Sequence, residues 1–283
     1  MAVNQNDCNV KVAVVILNYQ NSSDSLACVK SICKQDYPEL AGILVVDNGS
    51  SKDNFAVLNE GRRKCGGAFK LIRLRKNQGF ARGNNIGISY ARREWNTDHI
   101  LIVNNDTLFT DPEFFSKLLA HSKDHVAMIG PAIRLRNGFI QKEYLVPTEV
   151  LPLFYRWLFF MAQKMHGESL SAWLREKWHR KDFLHKALHG CAILFTPLFF
   201  EFYTGMYSKT FLYAEEEILL FQLKKAGLSQ CYVPETEIFH LEDQSTILAF
   251  EDVEKSKLHY CCQSCGHAIL ARILPYGILK KLC

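Results

Sequence analysis

The chain has 283 residues, of which 48% are hydrophobic, 12% aromatic and 22% charged. A chain this apolar buries enough surface to offset its ordering entropy, which excludes intrinsic disorder, and 16 glycines with 8 prolines exclude a collagen-like fibre. The formal charge of +5 is too small to indicate nucleic acid binding, but it is compatible with phosphate-bearing ligands or an anionic membrane surface.

The apolar runs and the cysteines indicate a cellular compartment. The first apolar run, residues 12–17, is too short for a secretory signal, and no stretch reaches the roughly 18 apolar residues of a spanning helix. Ten scattered cysteines are typical of reduced thiols, so we expect a cytoplasmic protein. Cys261, Cys262, Cys265 and His267 have part of a zinc-ligand spacing but lack a second distant pair, which favours ordinary packing.

The first half alternates predicted strands with predicted helices. The predicted strands cover residues 10–17, 43–46, 69–74 and 100–103. Between them we expect a helix capped by Ser22, Ser23 or Asp24, a second helix over 51–64 and a third over 82–94. This order predicts βαβ units and an α/β fold with a doubly wound, mostly parallel sheet, in which ligands bind beyond the carboxyl ends of the strands.

The second half is less regular. Strands are expected over 126–133, 190–195 and 231–240, with a helix over 214–225 that ends at Gly227. A helical insertion rich in aromatic and basic residues is expected at about 148–188. We therefore divide the chain into an N-terminal extension (1–9), one large domain (10–245, with halves 10–110 and 111–245) and a helical C-terminal tail (246–283).

Two carboxylates lie where predicted strands end. Asp47, in VVDNGSS, can accept hydrogen bonds from a nucleobase or ribose, although an Asx turn or a helix cap explains it equally well. Asp106, in ILIVNNDT, follows two amides at the end of a very apolar strand. Oxygen ligands of this kind suit Mg²⁺ or Mn²⁺, which in turn bind phosphates.

A basic, glycine-punctuated stretch lies between these carboxylates. Residues 62–93 contain ten Lys or Arg and no Asp or Glu, and the segment 77–87 (NQGFARGNNIG) leads into a helix. Glycine lets a backbone approach a ligand closely, and a helix N-terminus favours anions. We expect most of these cations to be solvated and Arg82, among the glycines, to contact the ligand.

Three carboxylates open the helix expected at 214–225. Glu215, Glu216 and Glu217 lie in its first turn, where acids favour the helix dipole whatever the function. Adjacent carboxylates beside a sugar site would also raise at least one pKa, which suits a general base. His240 ends the last predicted strand, where a structural role and a ligand role are both open.

The ordered motifs resemble those of glycosyltransferase family 2, and within it the rhamnosyltransferase-like branch that builds bacterial capsule, O-antigen and cell-wall polysaccharides. The matching residues, in chain order, are Asn18-Tyr19, Asp47-Asn48-Gly49-Ser50, Asn77 to Gly87, Asn104-Asn105-Asp106, Gly190, Glu215-Glu216 and His240. The resemblance covers about residues 10–245. It implies a GT-A fold, a nucleotide-diphosphate sugar donor (UDP- or dTDP-sugar), a divalent metal (Mg²⁺ or Mn²⁺) and inversion at the anomeric carbon.

The resemblance also implies roles for individual residues. Asp106 and His240 would hold the metal, Glu216 would be the catalytic base, and Glu215 would bind the acceptor or replace the base. The residues implied to bind substrate are Asn18, Asp47, Asn48, Gly79, Arg82, Asn84, Asn105 and Gly190. Three positions depart from the family pattern: Asn104 replaces the first acid of the D-x-D metal motif, Ala214 replaces a glycine, and Ile218 replaces a second acid.

The expected function is therefore transfer of a sugar to a saccharide acceptor, expected to be lipid-linked, in polysaccharide biosynthesis. A nucleotidyltransferase is disfavoured because no glycine-rich phosphate loop follows Asn18. A degenerate family member that binds nucleotide sugars or scaffolds a complex stays open because of Asn104 and Ile218.

The aromatic and basic segments leave a further alternative open. Residues 151–190 carry seven Lys or Arg against three Asp or Glu, and residues 267–283 carry three Lys or Arg and no acid. Apolar faces flanked by cations are typical of helices that lie on an anionic bilayer, yet core packing would use the same residues. A peripheral position on the inner face of the cell membrane fits the first alternative.

Overall fold

The computed structural model describes residues 10–241 and 252–283. The strands, in chain order, are β1 (Val12–Asn18), β2 (Leu40–Asp47), β3 (Lys70–Arg73), β4 (His99–Asn104), β5 (Thr107–Phe109), β6 (Val126–Leu135), β7 (Ile140–Gln141), β8 (Tyr144–Pro147), β9 (Leu184–Ala187), β10 (Ala192–Phe195) and β11 (Ser229–His240). The helices, in chain order, are α1 (Ser22–Ile32), α2 (Lys52–Lys64), α3 (Phe80–Trp95), α4 (Phe114–Leu119), α5 (Val150–Lys164), α6 (Glu168–Trp178), α7 (Pro197–Phe202), α8 (Glu215–Ala226), α9 (Val253–Ile273) and α10 (Tyr276–Lys281).

The main sheet has the strand order β3-β2-β1-β4-β10-β6-β11-β5, with β7 paired to β6. Strands β3, β2, β1 and β4 are parallel to one another, and β11 is parallel to β6. Strand β10 is antiparallel to both of its neighbours, and β5 is antiparallel to β11. The prediction of a mostly parallel α/β sheet is confirmed.

Helices cover both faces of the sheet because the central strands are apolar on both sides. In β1, Val14 and Ile16 lie in a core with Val29 of α1, whereas Ala13 and Val15 lie in a second core with α3. Successive side chains of a strand point to opposite faces, so an unbroken apolar run such as VAVVIL requires a cover on each side.

Three strand ends meet at one edge of the sheet. In the register of the parallel strands, Asn18 of β1 pairs with Asp47 of β2, and Leu17 pairs with Asn104 of β4. The polar residues that follow these strands therefore lie side by side beyond their carboxyl ends, which is where ligands bind in such sheets.

Several boundaries differ from the sequence expectation. The N-cap of α1 is Asn21, whose side chain accepts from the backbone N–H of Asp24, so the expectation of a cap at 22–24 is wrong by one residue. The strand expected over 190–195 begins at Ala192. Strands β5, β7, β8 and β9 have two to four residues each, too few to show a period in the sequence.

The insertion and the C-terminal tail belong partly to the core. Helix α9 packs against α5, and a buried cluster joins Leu153 of α5 and Phe221 of α8 to Ala268, Ala271 and Leu279. Strands β8 and β9 form a separate two-stranded sheet at the base of the insertion. Among the described residues, no helix combines the length and apolarity needed to cross a bilayer.

Candidate active site

A buried hydrogen-bond network joins the ends of β1 and β2. The Asn18 side-chain N–H donates to Asp47 Oδ1 at 2.9 Å, and Asn18 Oδ1 accepts from the Ser25 hydroxyl at 2.8 Å. The amide of Asn105 lies 3.4 Å from Asn18 Oδ1, so three predicted binding residues meet here. Asp47 Oδ2 has no hydrogen bond within the described residues and lies 3.7 Å from Arg73 Nε.

Asn48 holds the glycine-punctuated loop beside this network. Its amide donates to Asn77 Oδ1 at 2.9 Å and to the Gly79 carbonyl at 3.2 Å, and its oxygen accepts from the Gln78 backbone at 2.9 Å. Gly79 has φ +83°, and a Cβ there would lie 2.4 Å from the carbonyl oxygen of Phe211. Only glycine fits, and the loop is thereby seated against the segment that precedes α8.

Two predicted donor-binding residues lie apart from the other site residues. Arg82 Nε donates to the Ser208 carbonyl at 2.7 Å, and its side chain lines a separate cavity on the outer face of α3. Asn84 is buried within α3, where its amide donates to the Phe80 carbonyl at 3.2 Å. Their contact with a donor therefore stays a prediction.

Asp106 and His240 meet through the pairing of β5 with β11. His240 lies opposite Thr107 in this register, and the Leu241 N–H donates to the Asp106 carbonyl at 2.9 Å. Both side chains are buried, with Asp106 Oδ1 3.2 Å from His240 Nε2. Neither atom has a hydrogen-bond partner in residues 10–241 and 252–283. The two predicted metal ligands therefore place a carboxylate oxygen and an imidazole nitrogen side by side, where both could bind one ion.

His189 lies next to this pair but is already hydrogen bonded. Its Nδ1 accepts from the Cys191 backbone N–H at 3.1 Å, and its Nε2 is 2.8 Å from the Tyr144 hydroxyl. Potential ligand atoms of His189, Cys191 and His240 lie within 4.8 Å of one another. Both ring nitrogens of His189 already have partners, and burial raises the pKa of the Cys191 thiol, which disfavours the thiolate that binds a metal, so this trio is a weaker ion site than Asp106 with His240.

The backbone is strained where α8 begins. Tyr213 and Ala214 have φ of +73° and +65°, a region that costs a non-glycine residue roughly 1–2 kcal/mol. The turn brings Glu215, Glu216 and Glu217 onto the first turn of the helix. The left-handed conformation at Ala214 gives the physical reason for a glycine at this position of the family pattern.

Glu216 is half-buried, and its carboxylate faces a cavity. It accepts a hydrogen bond from the backbone of Gly190, where an added Cβ would lie 2.4 Å from Glu216 Oε1. Burial, together with the negative charge of Glu217, raises the pKa of Glu216 to about 7. A carboxylate with this pKa is well suited to take a proton at neutral pH.

The two neighbouring carboxylates have different surroundings. Glu215 is buried, and burial with the charge of Glu216 raises its pKa well above the usual range. Glu217 forms a buried ion pair with Arg156 through both carboxylate oxygens. Glu216 combines contact with the cavity, partial exposure and a pKa near neutrality.

The cavity beside Glu216 has a volume of about 430 Å³. It brings together four predicted site residues, Gly190, Glu215, Glu216 and His240, with Asn104, which replaces the first acid of the metal motif. Asn18, Asp47, Asn105 and Asp106 do not line it; Asn105, which contacts Asn18, directly follows Asn104 in the chain.

The cavity also has lining residues to which the sequence gave no role. They include Arg156 and Phe160 of α5, Trp178 of α6, and Cys261 and Cys265 of α9. Arg156 is the one charged residue between Val150 and Gln163. A lone cation in an apolar helix is the sequence signal that could have pointed to it. Cys261 and Cys265 face the cavity while His267 Nδ1 contacts the Tyr207 hydroxyl at 3.2 Å, so the partial zinc spacing does not converge on one point.

Similarity to known proteins agrees with this geometry. The chain is 30% identical over 159 residues to an N-acetylglucosaminyltransferase from Rhizobium sp. (strain MPIK3030), which covers 56% of this chain and 71% of that protein. It is 24% identical over 240 residues to the low-salt glycan biosynthesis hexosyltransferase Agl10 of Haloferax volcanii, covering 81% and 69% of the two chains.

A solved structure shares the fold. Mannosyltransferase PcManGT from Pyrobaculum calidifontis, in complex with GDP-Man and Mn²⁺, superposes with a TM-score of 0.56 at 14% identity, covering 93% of this chain and 72% of that chain. The model of the glycosyltransferase-like family 2 matches residues 9–258. The chain has the GT-A fold and belongs to glycosyltransferase family 2.

Proposed function

We propose that the protein is an inverting glycosyltransferase that moves a sugar from a nucleotide-diphosphate sugar to a hydroxyl of a saccharide acceptor. One observation carries the proposal: the Glu216 carboxylate, with a pKa near 7, faces a cavity that also contains His240 in contact with Asp106. Membership of the family supports the reaction class. A lipid-linked acceptor in bacterial polysaccharide biosynthesis is part of the proposal through the resemblance described above.

The relatives direct the choice of donor. The sequence resemblance pointed to the rhamnosyltransferase-like branch, whereas the relatives are named N-acetylglucosaminyltransferase and hexosyltransferase. We therefore propose UDP-N-acetylglucosamine as the first donor to test, ahead of a dTDP-sugar.

Glu216 would act as the general base. Its carboxylate takes the proton of the acceptor hydroxyl while the acceptor oxygen bonds to the anomeric carbon and the bond from that carbon to the diphosphate breaks. Attack from the face opposite the diphosphate inverts the configuration in a single displacement. The hydrogen bond from Gly190 orients the carboxylate, and Glu215, whose raised pKa favours the protonated form, would donate a hydrogen bond to the acceptor.

Asp106 and His240 would hold a divalent cation. Their free oxygen and nitrogen atoms, 3.2 Å apart, fit such an ion, and the nitrogen ligand favours Mn²⁺ over Mg²⁺, which prefers oxygen. When bound, the cation neutralises negative charge on the diphosphate. Asn104, which replaces the first acid of the D-x-D motif, leaves one carboxylate fewer for this task.

The residues at the strand ends would bind the donor. Asp47 Oδ2 can accept a hydrogen bond from a nucleobase or ribose because no described residue donates to it. Asn18 and Asn105 orient that carboxylate through the network, and Asn48 holds the Gly79 loop close to the diphosphate. Roles for Arg82 and Asn84 at the donor would require a shift of α3 or of the ligand toward them.

The aromatic part of the cavity would receive the acceptor. Tyr144, Phe160 and Trp178 line it on the side of the insertion, opposite the strand ends. Flat aromatic rings offer apolar area against which the faces of a sugar ring can pack, with polar edges beside them. This places the acceptor next to Glu216.

Membrane association is the remaining part of the proposal. Helix α9 ends beside the start of α5, where Arg272 Nε donates to the Thr148 carbonyl at 2.8 Å. We define the apolar patch as the exposed side chains Val150, Leu151, Phe154, Leu270 and Ile273. Lys280 and Lys281 follow in the chain and are exposed, so an anionic bilayer on the cytoplasmic side would match both the apolar surface and the charge.

Donor binding and turnover test the reaction class. Thermal shift with UDP-N-acetylglucosamine and Mn²⁺ should raise the melting temperature, because a ligand that binds only the folded state stabilises it by mass action. In the absence of a saccharide acceptor, water should take its place, so that slow hydrolysis of the bound donor gives free sugar and UDP. No stabilisation by this donor or by a panel of other nucleotide sugars would contradict the proposal.

A degenerate scaffold protein is the second candidate, and the substitution of Asn104 for an acid favours it. The same experiment separates the two functions. A scaffold would be stabilised by the donor but would release no UDP above the rate seen with Glu216→Gln.

A further inference from the structure

The first turn of α8 lacks the usual local support. Ala214, at its N-cap, has no side-chain oxygen, and it follows Tyr213 in the left-handed region. Three consecutive acids then lie in one turn, and although acids there favour the helix dipole, they repel one another when they are ionised. A turn built in this way needs support from outside the helix to hold Glu216 in one place.

Arg156 supplies that support from the insertion. Its two terminal nitrogens bind the two oxygens of Glu217, with Nη2 at 2.8 Å from Oε2, and the side chains are only 10% and 7% exposed. A planar guanidinium that binds both oxygens fixes the orientation of a carboxylate as well as its position. Because Glu217 follows Glu216 directly, this pair fixes the backbone that carries Glu216.

The guanidinium also joins three helices that reach the cavity. It lies 5.9 Å from the ring centroid of Trp178 in α6, and it contacts the thiol of Cys265 in α9. Arg156, Trp178 and Cys265 line the same cavity as Glu216. Helices α5 and α6 of the insertion and the C-terminal helix α9 therefore contact α8 through the buried guanidinium of Arg156.

We propose that Arg156 is a positioning residue for glycosyl transfer: through its paired bonds to Glu217 it holds the first turn of α8 so that the Glu216 carboxylate faces the cavity. This inference rests on the proposed role of Glu216 as the base. Arg156 acts through Glu217, and it has no assigned contact with donor or acceptor.

The electrostatic surroundings of Glu216 provide a readout that does not depend on turnover. Besides Glu215 and Glu217, the titratable or charged residues that line the cavity with Glu216 are Tyr144, Arg156, His189, Cys191, Tyr213, His240, Cys261 and Cys265. The charge of Glu217 raises the pKa of Glu216, and the charge of Arg156 lowers it. Removing one or the other charge should therefore move that pKa in opposite directions.

The first experiment titrates Glu216 by carbon NMR of ¹³C-carboxyl glutamate, with its resonance assigned by its loss in Glu216→Gln. We expect Arg156→Gln to raise the pKa of Glu216 and Glu217→Gln to lower it. Arg92→Gln, which breaks an Arg–Asp pair with Asp98 at the opposite end of the sheet, should leave it unchanged. Shifts in the same direction for both cavity variants, or none in either, would overturn the inference.

The second experiment tests positioning in a protein that keeps its fold. In Arg156→Leu with Glu217→Leu, an apolar pair replaces the buried ion pair, a change that is often neutral for stability. With UDP-N-acetylglucosamine and Mn²⁺, we expect kcat for UDP release to fall about 100-fold, KM to change little, and Arg156→Lys to keep part of the activity. A double variant with kcat within threefold of the parent would contradict the inference, whereas failure of the parent to bind the donor would contradict only the proposed function.

Discussion

At the scale of single residues, three neighbouring glutamates differ through their partners. Glu215 is buried and has a raised pKa, Glu217 is paired with Arg156, and Glu216 faces the cavity and accepts a hydrogen bond from the backbone of Gly190. The sequence EEE predicts only an acidic helix start. The partners come from residues 26 and 61 positions away in the chain, so no local pattern separates the three acids.

Replacement of Glu216 by Gln should remove turnover and keep donor binding. The amide has nearly the shape of the carboxylate but cannot take a proton, so kcat for UDP release should fall by about 10²–10⁴-fold. The dissociation constant of UDP-N-acetylglucosamine, measured by calorimetry with Mn²⁺, should stay within twofold to threefold of the parent value. Glu235→Gln, an exposed acid on β11, is the control. Near-parental turnover in Glu216→Gln would remove the assignment of the base.

The pH dependence of stability gives a test of the same residue without substrate. The pKa of Glu216 is raised from 4.5 to about 7 on folding, so the folded state binds more protons between these values and stability falls as pH rises through that window. Glu216→Gln removes the titrating carboxyl and therefore this loss of stability at higher pH. Its melting temperature, relative to the parent, should therefore be higher at pH 8 than at pH 4.5, and an equal difference at both values would contradict the raised pKa.

At the scale of elements, left-handed residues lie at both ends of α8, and the one at its start is not a glycine. Ala214 precedes it with φ +65°, and Gly227 ends it with φ +70°. Gly227 was expected from the sequence as the helix end, and this prediction is confirmed. Alanine is the strongest helix former and gives no sign of a left-handed backbone, so the one signal of strain at Ala214 was the glycine that the family pattern has there.

Substitutions at these two positions should have opposite effects on stability. Ala214→Gly relieves a backbone cost of roughly 1–2 kcal/mol and adds a smaller entropic cost, so the free energy of unfolding should rise by about 0.5–1 kcal/mol. Gly227→Ala creates the strain at a site with open space around the new Cβ, and the free energy should fall by about 1 kcal/mol. Urea unfolding measures both. A loss of stability in Ala214→Gly would contradict the described backbone.

The sequence predicted the long apolar strands and also the four-residue strands β3 and β10, but it did not predict β5, β7, β8 or β9. Strands β1, β2 and β4 are unbroken apolar runs, and their polar ends placed Asp47 and Asp106 at the correct edge of the sheet. Strand β5 has three residues, yet it brings Asp106 to His240. The proposal that Asp106 and His240 act together as metal ligands therefore came from the resemblance to a family and not from any feature of β5.

At the scale of the whole molecule, the insertion and the C-terminal helix are walls of the site as well as surface. Leu153 and Ala268 pack in the core, and Arg156 and Cys265 line the cavity, whereas Phe154 and Leu270 are exposed. Their composition allowed packing or membrane contact as alternatives. Each of these helices has one face in the core and another face exposed. Composition alone does not separate the two faces because it carries no information about the direction of each side chain.

The apolar patch should mediate binding to anionic vesicles. Truncation of residues 267–283 would remove core side chains, so point variants are the better test. Leu151→Glu with Ile273→Glu should reduce co-sedimentation with phosphatidylglycerol vesicles about tenfold or more, because apolar burial is lost and charge is repelled. Val57→Glu, an exposed apolar position on α2, is the matched control. Equal recovery of parent and double variant in the pellet would contradict the proposed surface.

The central claim is that the proposed metal ligands, Asp106 and His240, and the proposed base, Glu216, belong to one site. Paramagnetic relaxation by Mn²⁺ measures this directly, using the Glu216 carboxyl resonance of the ¹³C-labelled protein with UDP present. We expect Mn²⁺ to broaden the Glu216 resonance at a lower concentration than the resonance of Glu60 on α2. Asp106→Ala should abolish this difference between the two resonances. A Glu216 resonance that stays sharp while Mn²⁺ and UDP are bound, or the same broadening in Asp106→Ala, would contradict it.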